Sequence, residues 1–297
     1  MKVVHRANTC FSIFVEDTHI LFDPWLDGPA VAQGWAHFPP SEYTISSIPP
    51  PDLLYISHIH DDHCESLTLE GIERDTPIIC MNLGPNFLSK MLKKRGFNNV
   101  DLLNEKEVKK IDLGLDIEAE VFGSSRGHLT SNILDSGIVL KIQDKIIVNF
   151  NDNHPTQEEC DYIKTKFKKI DLAFIPCGGG SGYPAMYENI SLSDKKKIVN
   201  ETLSNFDLMF SNAVDILKPD MAIPVAGGFA IRGNHPSETN YLQIRHLDEN
   251  NTLNFHIQNG CHKDTKIFLM QPGMELDVTK KEITKGEYKV WSQDELD

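Results

Sequence analysis

The chain has 297 residues, 40% of them hydrophobic and 24% charged, which is enough to bury a substantial core and ordinary for a soluble globular protein. Its 29 basic residues face 43 acidic ones, a net charge of −14, and this argues against a nucleic-acid partner because phosphate backbones are bound by neutralising them. No apolar run approaches the roughly 20 residues of a membrane span, and no apolar leader opens the sequence, so the expected location is the cytoplasm with no membrane partner.

In chain order, CFSIFVE and HILFD are short, rich in β-branched and aromatic residues, and separated by the turn-like Asp17-Thr18. A Pro/Gly-rich loop follows (DPWLDGPAVAQGWAHFPP), and then PDLLYIS, an apolar run suited to a buried strand. PIICM reads as a strand and PNFLSKMLKKRG as a helix closed by Gly96, with basic residues in its last turn. DIEAEVF, GIVLKI and KIIVNFN read as strands, the last two joined across Gln143-Asp144. TQEECDYIKTKF and residues 193–205 read as helices, and IDLAFIP, MAIPVA, TLNFHIQ and TKIFLM as strands. Strands in both halves with interspersed helices predict two sheets packed inside flanking helices, a layered α/β architecture in one domain over 1–297. The six cysteines (Cys10, Cys64, Cys80, Cys160, Cys177, Cys261) form no C-x-x-C pair and are expected to be idle, buried thiols.

The run HIHDDH, delivered directly by PDLLYIS, carries the chemistry. In an extended segment His58, His60 and Asp62 point the same way, and His63 needs a turn to join them. One short segment can thus offer ligands to two metals, imidazoles suiting zinc or iron and carboxylates able to bridge. Four ligands do not complete two sites. Three further candidates stand in loops next to strands: His128 in SSRGHLTSN, Asp152 after KIIVNFN, and His235 in GGFAIRGNHPSE. Each alone reads as well as a solvated or structural residue, but their joint position at strand ends favours a site.

This order, H-x-H-x-D-H after a buried strand and then His, Asp and His, resembles the metallo-β-lactamase superfamily and implies its four-layer αββα sandwich. The resemblance implies one metal at His58, His60 and His128, a second at Asp62, His63 and His235, and Asp152 between them. ILFDPWLDGPAVAQGW, DLLYISHIHDDH, GGGSGYP and GNHPSE also resemble the catalytic domain of the CMP-N-acetylneuraminate hydroxylase family, from about residue 5 to about residue 240. That family carries a Rieske iron–sulfur domain with paired Cys-x-His and Cys-x-x-His ligands. Neither pair occurs in this sequence, so oxygenase activity would need a separate redox protein as electron donor, and the departure equally allows chemistry that is no longer oxidative.

Other residues have weaker claims. GGGSGYP lacks the Gly-Lys-Ser/Thr ending of a P-loop, which excludes nucleotide hydrolysis of that kind. Gly179, Gly180, Ser181 and Tyr183 are read as a backbone approach to substrate, against the plainer reading of a flexible turn. Arg126 and Arg232 stand close in sequence to His128 and His235, where a guanidinium can hold a phosphate or carboxylate, against the plainer reading of surface arginines. Asp61 is a candidate to orient a metal-bound imidazole, His154 to support a ligand, and His5 to line the pocket. The remaining histidines read as ordinary.

Two enzymatic readings follow. One is an iron-dependent dinuclear oxygenase acting on an anionic amino-sugar nucleotide or similar small molecule. The other is a two-metal zinc hydrolase of a lactone, ester or phosphoester, with Asp62 or Asp152 as the catalytic carboxylate that positions the attacking water. A binding protein with a decayed site fits poorly, because all seven ligand positions are filled. The close likeness to the hydroxylase family tips the expectation to the oxygenase, with two divalent ions, iron or zinc.

Overall fold

The computed structural model describes residues 1–123, 135–233, 240 and 262–291. Its first three strands are β1 (Lys2–Ala7), β2 (Cys10–Val15) and β3 (Thr18–Phe22), an antiparallel meander. The β2–β3 turn is Glu16-Asp17, one residue earlier than expected, with Glu16 at φ 52° and Val15 paired to Thr18. The long loop then holds β4 (Trp35–His37), and a 3-10 turn at Ile45–Ser47 follows before β5 (Leu53–Tyr55) adds to β3 in parallel. Helix α1 (Ser66–Glu70), β6 (Ile78–Met81), α2 (Phe87–Lys94) and β7 (Val100–Leu103) follow, and β6 and β7 extend the parallel part.

The second half repeats the plan. It runs β8 (Val108–Asp112), β9 (Asp116–Phe122), β10 (Gly137–Ile142), β11 (Lys145–Asn149), α3 (Gln157–Phe167), β12 (Leu172–Pro176), α4 (Leu192–Leu217) and β13 (Met221–Val225). Short strands close the chain: β14 (Phe229–Ile231), β15 (Lys266–Ile267), β16 (Glu275–Asp277) and β17 (Glu282–Lys285). Among the described residues one sheet has the order β17-β16-β1-β2-β3-β5-β6-β7 and the other β15-β13-β12-β11-β10-β9-β8, while β14 and β4 pair apart from both.

Strand alternation explains the layers. In β5, Leu53 and Tyr55 face the other sheet, packing with Ile138, Leu140 and Phe174, while Leu54 faces out to Leu69 of α1 and Leu92 of α2. On the second sheet Val148, Ala173 and Ala222 face out to Ile163 of α3 and to Phe210, Ala213, Val214 and Leu217 of α4. The order is therefore helix, sheet, sheet, helix, the predicted αββα sandwich. Each fully buried Leu, Ile or Phe in the central layer contributes roughly 1.5–3 kcal/mol by burial.

Helix ends follow local chemistry. Thr156 Oγ accepts from Glu159 N at 3.2 Å and Glu159 Oε2 accepts from Thr156 N at 3.0 Å, a reciprocal cap that starts α3. Helix α4 spans 26 residues, well past the expected end at Asn205, because Phe210, Ala213, Val214 and Leu217 continue an apolar stripe at helical spacing. TLNFHIQ lies outside the described residues, and of TKIFLM only Lys266–Ile267 pairs as a strand. Among the described residues no helix is long and apolar enough to cross a membrane.

Candidate metal centre

The chain leaves β5 at Tyr55, still buried through Ile56 and Ser57, and His58 follows at 1% exposure. His60 O then accepts from His63 N (3.0 Å) and Cys64 N (3.1 Å), a turn that sends the chain back inside. The extended run of alternating ligands is thus replaced by a strand exit and a turn. His58, Asp62 and His63 are buried, while His60 and Asp61 are exposed. His60 Nδ1 nevertheless lies 2.8 Å from His58 Nε2.

Asp23, the first residue after β3, organises this exit. Its Oδ1 accepts from Ser57 N at 2.8 Å, and its Oδ2 accepts from Ser57 Oγ and from His63 Nδ1, both at 2.8 Å. A carboxylate only accepts, so the proton between it and His63 sits on Nδ1 and Nε2 is turned to the site. Ser57 Oγ, having donated to Asp23, accepts from His58 Nδ1 at 2.9 Å, which likewise turns His58 Nε2 inward. Sequence reasoning placed this orienting role on Asp61. Asp23 was visible only as the Asp of ILFDPW, with nothing to tie it to a histidine 40 residues away.

The charges converge on His63. Its Nε2 faces Asp152 Oδ2 at 3.3 Å and Asp62 Oδ2 at 3.6 Å, yet it is buried with no hydrogen-bond partner. Burial alone would strip His63 of its proton, but Asp152, Asp62 and Asp23 together hold its pKa well above the usual value. Burial would raise Asp152, but the same His63 holds it well below the usual carboxylate range. Burial, reinforced by His63, pushes His58 well below the ordinary imidazole value, and burial pushes Asp62 up.

Such a set fits a cation. Among the described residues two groups each bring three donor atoms within 4.8 Å of one another: His58, His63 and Asp152, and His58, His60 and Asp135. Imidazole nitrogens and carboxylate oxygens suit zinc and iron alike. A buried imidazole nitrogen aimed at two carboxylates is the geometry that a metal about 2.1 Å from each donor would satisfy. Cys64 offers no thiolate, since burial pushes its pKa well up. The structure therefore brings together His58, His60, Asp62, His63 and Asp152. His128, His235 and Arg126 lie outside the described residues. Asp135, within reach of His58, was missed by sequence reasoning.

A series of contacts leads from this centre toward the segments that carry the substrate candidates, a partly exposed rim. Thr9 Oγ1 lies 3.3 Å from His63 Nδ1, and the neighbouring Asn8 Oδ1 accepts from Gly228 N at 3.2 Å. Gly178 then packs on Ala226, where a Cβ would come within 2.8 Å of its carbonyl oxygen. Gly179 and Gly180 lie under the rings of Phe206 and Trp35, at 2.8 and 2.5 Å from a Cβ built there, so close ring packing accounts for these glycines. Ser181 Oγ accepts from Tyr183 N, and the exposed Tyr183 ring meets Tyr187 edge-on at 5.2 Å. His154 meets Phe206 edge-on. Arg232 is exposed, its Nη1 donating to Gln33 O at 3.2 Å. His5 is buried, stacked on Phe11, with Nε2 against Asn8 O at 2.9 Å.

Known proteins are similar to this chain. The cytidine monophosphate-N-acetylneuraminic acid hydroxylase of Mus musculus is 26% identical over 304 residues, covering 94% of this chain and 47% of the relative. The chain thus spans about half the length of the curated relatives it matches. Among solved structures, CmlA, a diiron β-hydroxylase from Streptomyces venezuelae, aligns with a TM-score of 0.63 at 17% identity over 93% of this chain and 53% of that one. Igni18, a metallo hydrolase from the archaeon Ignicoccus hospitalis, aligns with a TM-score of 0.60 at 17% identity over 97% and 99%. These two likenesses speak for the fold alone. The family profile of the β-lactamase superfamily domain matches residues 3–226, three-quarters of the sequence, and the chain belongs to the metallo-β-lactamase superfamily.

Proposed function

We propose that the chain is an iron-dependent dinuclear oxygenase that hydroxylates an anionic amino-sugar nucleotide or similar small molecule, with electrons from a separate redox protein. The observation that carries this reading is the similarity to a hydroxylase across 94% of the chain, far beyond the metal motif itself. The donor set supports it, because two imidazoles with a carboxylate is a pattern of non-haem iron oxygenases.

In this reading His58, His60 and His128 would hold one ion and Asp62, His63 and His235 the other, with Asp152 available to both. Iron in these sites would supply redox cycling and Lewis acidity, which zinc with its filled shell supplies only in part. The chain's own residues do the rest. Asp23 and Ser57 keep the Nε2 atoms of His58 and His63 turned inward. Asp152, held ionised by His63, offers a carboxylate to both sides. Arg126, Arg232 and the segment with Gly179, Gly180, Ser181 and Tyr183 hold the substrate's anionic groups, while His5 lines the pocket and His154 supports Asp152.

The test is reconstitution with ferrous iron and a reductant, followed by exposure to isotopically labelled O2 with CMP-N-acetylneuraminate. The expected product carries one labelled oxygen atom, and the other leaves as water with two electrons and two protons from the donor. Turnover of a lactone or phosphoester by the zinc form, with no O2 uptake by the iron form, would overturn the oxygenase reading.

A further inference from the structure

We propose that Asp135 is a further ligand of the metal held by His58 and His60, which adds a carboxylate to that histidine site. The inference rests on the metal-centre reading above and extends it, since the superfamily resemblance brings only His128 from this loop to that site.

The placement of Asp135 is the argument. It is the second residue before β10, 8% exposed, and its Oδ1 lies 3.5 Å from His58 Nε2. One donor atom from each of His58, His60 and Asp135 lies within 4.8 Å of the other two. The 2.8 Å contact between His58 Nε2 and His60 Nδ1 marks where a cation would replace a shared proton.

The backbone around Asp135 is fixed to the strand that carries the motif. Ser136 Oγ donates to Ser57 O at 2.7 Å and lies 2.9 Å from Tyr55 Oη. Gly137 is pressed between Phe122 and Asn149: a Cβ there would stand 2.3 Å from the Phe122 ring and 2.9 Å from Asn149 O. A Cβ at Gly123 would stand 3.1 Å from Asp135 O. Asp135 is thus set in place by packing that leaves little room to move. The exit of β9, Phe122 and Gly123, offers no donor side chain of its own, so among the described residues Asp135 is the donor that the β9–β10 connection brings to His58.

The chemical consequence is a change in ligand character. A site of histidines alone is typical of zinc hydration chemistry, whereas one that mixes histidines with a carboxylate serves ferrous oxygenases as well as catalytic zinc. An added carboxylate also lowers the net charge of the occupied site and favours a harder, more oxidisable ion.

Cobalt(II) titration of the metal-stripped full chain tests the proposal, with bound metal counted and the visible cobalt absorption recorded. Wild type is expected to bind two ions. Asp135→Asn, which keeps the side chain's size, and Asp135→Ala are expected to weaken one ion by at least about tenfold, with the circular dichroism of the metal-free protein unchanged. Asp135→Glu, which keeps the charge but moves the oxygens, is expected to retain two ions with an altered cobalt spectrum. Two ions bound to Asp135→Ala with wild-type affinity and spectrum would overturn the assignment and leave the metal-centre reading standing. A wild-type chain that binds no metal would overturn both.

Discussion

The exit of β5 and the rim that carries the substrate candidates are built on different terms. At the exit, His58 and His63 are buried, and each imidazole is held on its outer nitrogen by a hydrogen bond that leads to Asp23. At the rim, Tyr183 and Tyr187 are each 49% exposed, and Arg232 spends one donor on a single carbonyl. Groups that must keep a fixed geometry against strong charge are over-determined by burial and paired bonds. Tyr183, Tyr187 and Arg232 are left in water, where side chains can be exchanged at little cost to the fold, whereas His5, the remaining pocket candidate, is buried like the exit histidines. The two zones should therefore answer perturbation in different observables, stability and metal affinity at the exit, KM at the rim.

The largest effect is expected from acid. Burial pushes His5 down from 6.5 to about 4, so the folded state resists a proton that the unfolded chain accepts. Its contribution is complete above the unfolded value and is lost as pH falls through 6.5 toward 4, on the order of 3 kcal/mol in all. Urea unfolding of metal-free protein between pH 7.5 and 4 should show His5→Gln losing less stability than wild type over that window. Equal slopes would mean that His5 takes up its proton without strain.

A smaller effect is expected from Asp23→Asn, which leaves every proposed ligand in place. Removing the carboxylate frees the His63 ring and loosens Ser57 from His58, and the affinity for metal should fall about 10–100-fold. Competition against a chelator would measure this, and unchanged affinity would reduce Asp23 to a packing role. The smallest effect is expected at the rim. Arg232→Ala should raise KM severalfold, with kcat close to wild type and stability within about 0.5 kcal/mol. A loss confined to kcat would place Arg232 in the exit's class instead.

The parts of the fold legible in the sequence were those with one dominant cause. β5, β12 and β13 are continuous apolar runs between turn signals, and both of their faces are indeed covered. β8 was missed because it is a rim strand whose VKKID alternates exposed and half-buried residues and carries no apolar run. The second half of α4 was missed because polar residues interrupt its stripe, and only the sheet beneath shows that the stripe continues. At the site the histidine run was legible because its ligand types are adjacent in sequence. Asp23 and Asp135 were not, since each acts on His58 or His63 only after β3, β5 and β10 come together in space. The small β4–β14 sheet, which seats Trp35 over Gly180, has the same origin.

The Asp23 bonds also have a thermodynamic meaning for how the centre fills. One carboxylate sets the orientation of His63 directly and of His58 through Ser57, and these two histidines belong to different proposed ions. Ser57 further receives Ser136, so the same residue touches the connection that carries Asp135. An ion that locks either histidine therefore removes freedom from the other before its own ion arrives. In the proposed two-ion reading, the second ion would by reciprocity tighten the first to the same degree, and the two loading equilibria would be linked into positive cooperativity through a carboxylate that binds neither metal.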